Sequence, residues 1–76
     1  MEKHINKYII LGLNVAYYRK LKGLSQAELA EKIYVSRSHV SRIEAPKGVK
    51  SFSIHVIFEI ADVLEIDMFK LFETRS

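Results

Sequence analysis

The chain has 76 residues, 49% of them hydrophobic, 28% charged and none cysteine, with a formal net charge of +3. That length and apolar content fill one small core, expected to be a single domain over 1–76 without a separate sensor domain, and the lack of cysteine removes disulfides and Cys-based zinc sites, in keeping with a cytoplasmic protein. No apolar run approaches the roughly 20 residues of a membrane span, and the N-terminal MEKHINKYIILGL has no small-residue cleavage site behind it, so neither a membrane nor export is expected.

Charge is unevenly placed. Residues 1–50 hold ten Lys or Arg against four Asp or Glu, a balance of +6, whereas residues 51–76 hold two against five, a balance of −3. The basic part suits a polyanion. Residues 1–10 run without Pro or Gly into a helical pattern and extend it by a turn or two. From Leu11 to Lys22, the residues Leu11, Val15 and Tyr18 mark the inner stripe of a first helix, and Gly23 ends it. Gly12 sits inside that pattern and suggests the close approach of a neighbour.

Residues 25–44 spell two short helices joined by a tight turn. Ser25 followed by Glu28 forms a capping box, with Leu24 and Leu29 as a hydrophobic staple, and the helix they open buries Leu29, Ala30 and Ile33. Ser36 caps the next helix, whose inner side is Val40 and Ile43. At about 100° per residue, Ser38, Ser41 and Arg42 then point away from the core and Arg37 and His39 lie on the flanks. A short helix held by its back and showing Arg, Ser and His at its front fits a DNA major groove. Arg37 and Arg42 have the donors for guanine O6 and N7, and Ser38 and His39 can meet bases or a phosphate.

The loop 45–52, APKGVKSF, contains the only proline, and Lys47 and Lys50 within it are candidate phosphate contacts. Ser53 caps a fourth helix and Asp67 a fifth, so 53–72 completes an all-helical domain of five helices. The fourth helix fills its inner stripe with Ile54, Ile57, Ile60, Ala61 and Leu64, yet its apolar residues spread over roughly 220°. The surplus, Val56, Phe58 and Val63 with Met68 and Phe69 of the fifth helix, clusters at the acidic end and is expected to form a homodimer interface.

The run Leu24-Ser25-Gln26, the pair Leu29-Ala30, the cap Ser36 and the ending Ser41-x-Ile43-Glu44 resemble the helix-turn-helix of the phage-repressor-like (xenobiotic response element, XRE) family. Arg19, seven residues before Gln26, and Ile60, Ala61, Leu64, Leu71 and Phe72 extend the resemblance over roughly Leu11 to Phe72. It implies a lambda-repressor-like five-helix fold, double-stranded DNA as partner, a phosphate contact from Gln26 at the open start of its helix, and Arg19 as the partner of Glu44. Chains this short in the family resemble stand-alone phage-type repressors and the controller proteins of restriction-modification systems. Two positions depart from the pattern: Tyr34 stands where the family usually has Gly, and Ala45-Pro46-Lys47-Gly48 replaces its usual basic residue and Gly.

The DNA-facing set is therefore Gln26, Ser36, Arg37, Ser38, His39, Ser41, Arg42, Lys47 and Lys50, with Arg19 and Glu44 as a structural ion pair. No triad or paired-carboxylate spacing suggests catalysis, and His4, His39 and His55 lie on separate elements without ligand spacing, so neither enzyme, metal, cofactor nor small-molecule ligand is expected. The reading is a transcriptional regulator bound as a dimer to a palindromic operator. The alternative is an antitoxin or adaptor whose apolar C-terminal helices bind another protein.

Overall fold

A computed structural model describes residues 5–45 and 53–74, with Ile5 described in its backbone alone. It contains α1 (Ile5–Leu21), α2 (Gln26–Lys32), α3 (Arg37–Glu44), α4 (Ile54–Leu64) and a 3-10 helix, Met68–Phe72. The class is all-helical among these residues. α1 forms the spine, since α3, α4 and the 3-10 helix all pack on it, while α2 lies against α3 and α4.

Local chemistry sets both ends of the short helices. Each helix start after α1 is capped by a side-chain oxygen: Ser25 Oγ accepts from Glu28 N at 3.0 Å, Ser36 Oγ from His39 N at 3.1 Å, and Ser53 Oγ from Val56 N at 3.3 Å. The capping box is closed by Ser25 N, which donates to Glu28 Oε1 at 2.8 Å. Three helix ends share one device as well. Gly23, Tyr34 and Glu65 turn left-handed at φ 80°, 61° and 58°. Each donates backward three residues, while the next residue, Leu24, Val35 or Ile66, donates to a carbonyl five residues back at 3.0 to 3.1 Å. This is the Schellman motif, and the same Leu24, Val35 and Ile66 pack on the core as its apolar clasp.

Leu11, Val15, Leu29, Ala30, Ile33, Val40, Ile43, Ile57, Ile60, Ala61, Leu64 and Leu71 form the core. Two expectations need correction. Ile54 has the angular position of the α4 stripe, yet it is 57% exposed; it stands in the first turn, where no element among the described residues covers it. The fifth helix is five residues of 3-10 structure rather than an α-helix. Asp67 caps it through Phe69 N at 3.0 Å, and Lys70 N bonds Asp67 O three residues back. At its far end the buried Asn14 amide of α1 donates to the carbonyls of Leu71 and Glu73, at 2.9 and 2.8 Å. With those acceptors engaged by α1, the chain leaves in extended form at Glu73.

Candidate nucleic-acid interface

α3 is held from behind at both ends. Val40 and Ile43 are fully buried, and next to them Arg19 grips Glu44 with two hydrogen bonds, Nε to Oε2 at 2.7 Å and Nη2 to Oε1 at 3.0 Å. The remaining guanidinium nitrogen, Nη1, donates to the Leu24 carbonyl at 2.7 Å, and Gln26 Nε2 donates to Glu44 Oε1 at 2.9 Å. The two charged side chains are 8% and 6% exposed. A desolvated pair of this kind adds little net stability, but removing one partner strands the other charge and costs about 3 to 5 kcal/mol. Its consequence is geometric: the end of α3, the turn after α1 and the start of α2 are tied to one carboxylate.

The front of α3 is open. Arg37, Ser38 and Arg42 are exposed, and Ser41 and His39 are half-buried. Ser36 Oγ and Ser38 Oγ lie 3.1 Å apart, so the capping hydroxyl shares its oxygen between the helix and its neighbour. One turn on, Arg42 Nη2 approaches His39 Nδ1 at 3.1 Å. Of the positions singled out in the sequence, Ser36, Arg37, Ser38, His39, Ser41 and Arg42 are thus collected on one short helix, with Gln26 joined to its far end through Glu44. Lys47 and Lys50 lie outside the described residues.

Gln26 differs from its expected role in one respect. Half of its amide donor capacity is committed to Glu44, which leaves the second amide hydrogen and the open backbone of the first turn of α2 for an anion. Asn14 is the residue that reading by sequence missed. It follows Leu11 by three positions and precedes Val15 and Tyr18 by one and four, so a polar side chain within an apolar stripe was the available signal.

The apolar set at the other end divides. Val56, Val63 and Met68 are partly buried against their own core. Phe58 and Phe69 stay 48% and 73% exposed, accompanied by Ile54 and Phe72. Among the described residues no helix is long and apolar enough to cross a membrane.

A family model described as helix-turn-helix matches residues 15–71. The HTH-type transcriptional regulator SinR of Bacillus subtilis (strain 168) is 33% identical over 66 residues, which are 87% of this chain and 59% of SinR. SinR of Bacillus licheniformis is 33% identical over 67 residues, 88% of this chain and 60% of that protein. The chain therefore spans less than two-thirds of the length of these curated relatives. Among solved structures, the restriction-modification controller protein C.AhdI from Aeromonas hydrophila superposes with a TM-score of 0.82 at 30% identity, covering 93% of this chain and 100% of C.AhdI. SinR, described as a master regulator for biofilm formation and solved in complex with DNA, gives a TM-score of 0.73 at 35% identity, covering 83% of this chain and 98% of that one.

Proposed function

The chain belongs to this helix-turn-helix family, and from that footing we propose that it is a sequence-specific, double-stranded-DNA-binding transcriptional regulator acting in the cytoplasm as a homodimer on a palindromic operator. The observation that carries the reading is the two-sidedness of α3: Val40 and Ile43 are buried while Ser38 and Arg42, pointing away from them, and Arg37, on the flank, are exposed. An α-helix fits the major groove, where each base pair presents a distinct edge. Arg37 and Arg42 supply forked donors for guanine, and Ser38 and Ser41 supply adaptable hydroxyls.

Phosphate contacts fix the register. Gln26 offers its second amide hydrogen beside the open start of α2, and Ser36 marks the open start of α3. Lys47 and Lys50, which follow α3 in the sequence, add positive charge. Because these residues lie in the basic part of the chain, affinity falls as salt rises. The exposed Phe58 and Phe69, together with the partly buried Val56, Val63 and Met68, form the proposed dimer contact. Two-fold pairing sets two α3 helices about one DNA turn, roughly 34 Å, apart. The SinR complex with DNA supports the partner, and the likeness to the controller protein C.AhdI supports a regulatory role. No catalytic step and no small-molecule ligand enter this scheme.

Selection of bound sequences from random duplexes tests it. The wild type is expected to enrich a two-fold symmetric site. Arg42→Ala is expected to lose about 1 to 3 kcal/mol of discrimination at one base pair per half-site, with its thermal unfolding unchanged. Enrichment of no sequence at all would refute the proposal.

A further inference from the structure

We infer that His39 is a positioning residue that orients Arg42 for its base and does not itself read the DNA. The inference rests on the DNA-binding reading above and changes the role of one residue within it. Arg42 Nη2 lies 3.1 Å from His39 Nδ1, one helical turn back. A guanidinium has donors and no acceptor, so Nδ1 is the acceptor and the neutral ring carries its hydrogen on Nε2. Nε2 is itself enclosed and meets no hydrogen-bond partner among the described residues. One ring nitrogen is thus engaged by Arg42 and the other is turned into the protein, leaving neither for a base edge or a phosphate.

The half-buried ring also has a firm seat. Its backbone N–H is the one that Ser36 Oγ caps, at 3.1 Å, so His39 belongs to the fixed first turn of α3. Arg42, by contrast, is a long exposed side chain that loses rotamer freedom when it docks. Holding one of its terminal nitrogens beforehand removes part of that loss, and the remaining donors of the fork stay free for a planar acceptor such as a guanine edge.

The test measures binding of a selected duplex and of its single-base-pair variants by wild type, His39→Leu, His39→Asn, Arg42→Ala and the His39→Leu/Arg42→Ala double variant, with helicity and melting as fold controls. His39→Leu removes the acceptor; His39→Asn keeps a side-chain oxygen near the place of Nδ1. His39→Leu is expected to lower discrimination by about three- to tenfold, only at the base pair where Arg42→Ala abolishes it. His39→Asn is expected to restore most of it, and His39→Leu should change nothing further once Arg42 is Ala. A loss at a different base pair would make His39 a base reader, an equal loss on every duplex would make it a phosphate contact, and each overturns the inference. Nitrogen-15 shifts of the imidazole in the free protein separate this from failure of the DNA reading. A fixed Nε2–H form in wild type that becomes a tautomer mixture in Arg42→Ala supports the pair even if no duplex binds. A tautomer mixture in wild type overturns it.

Discussion

Tyr34 holds its backbone in the left-handed region at φ 61° while 93% of the residue faces solvent. For an ordinary L-residue that conformation costs on the order of 1 kcal/mol, and so exposed a ring recovers little of it by burial. Tyr34→Gly is therefore expected to raise stability by about 0.5 kcal/mol after the extra freedom of unfolded glycine is subtracted, or roughly 2 to 4 °C in melting temperature. Calorimetry reads this, and a lower melting temperature would mean that the ring carries packing worth more than the strain. The strain at Tyr34 was legible through the resemblance, because Tyr34 stands where the family usually has Gly. The pairing of Glu44 with Arg19 was legible only through the family resemblance. The Asn14 clasp was not legible: its acceptors, the carbonyls of Leu71 and Glu73, lie far along the chain, and only the folded path brings them to α1.

Among the helices, starts were more readable than ends. Ser25, Ser36, Ser53 and Asp67 each cap as their types demand, because an N-cap is written in one side chain and its next few neighbours. The left-handed end at Glu65 carries no glycine to announce it, and the last segment is 3-10 rather than α-helical. Ile54 shows the same limit, since helical angle fixes a direction but not whether another element stands there. The α2 capping box makes a pH prediction. The backbone N–H and the hydroxyl of Ser25 hold the Glu28 carboxyl below its ordinary value of 4.5, with a smaller push from Lys32 and a partial offset from desolvation. A carboxylate depressed in the folded state stabilises above its unfolded value and loses that contribution as pH falls through the lower folded one. Glu28→Gln can close the same box without titrating. Melting temperatures taken from about pH 7 to about pH 3 should therefore fall less steeply for Glu28→Gln than for wild type. Parallel curves would show that the box is open in solution.

At the scale of the molecule, two surfaces divide the labour. The basic part of the sequence supplies the open face of α3, and the acidic part carries Phe58 and Phe69 in solvent. Under the proposed function, a second copy would cover these exposed apolar side chains. Light scattering is expected to show a dimer for wild type and a monomer for Phe58→Ser/Phe69→Ser. Because the second half-site then no longer binds as part of one assembly, operator affinity should drop by about a hundredfold or more. A dimer that survives both changes would move the interface elsewhere, and wild type that aggregates until another protein is added would favour the adaptor role. The overall helical class and the open front of α3 were both readable from periodicity, since a few buried positions dictate which face is left. The division of the apolar surplus was not, because Val56, Val63 and Met68 turn back onto their own core.

Amide chemical shifts of the labelled protein, followed while a selected duplex is added, decide whether α3 is the reading helix. The largest changes should fall on Ser36, Arg37, Ser38, Ser41 and Arg42, with Gln26 close behind and α4 nearly silent. Changes gathered on α4 and the 3-10 helix, with α3 unmoved, would show that DNA does not meet the protein through this face.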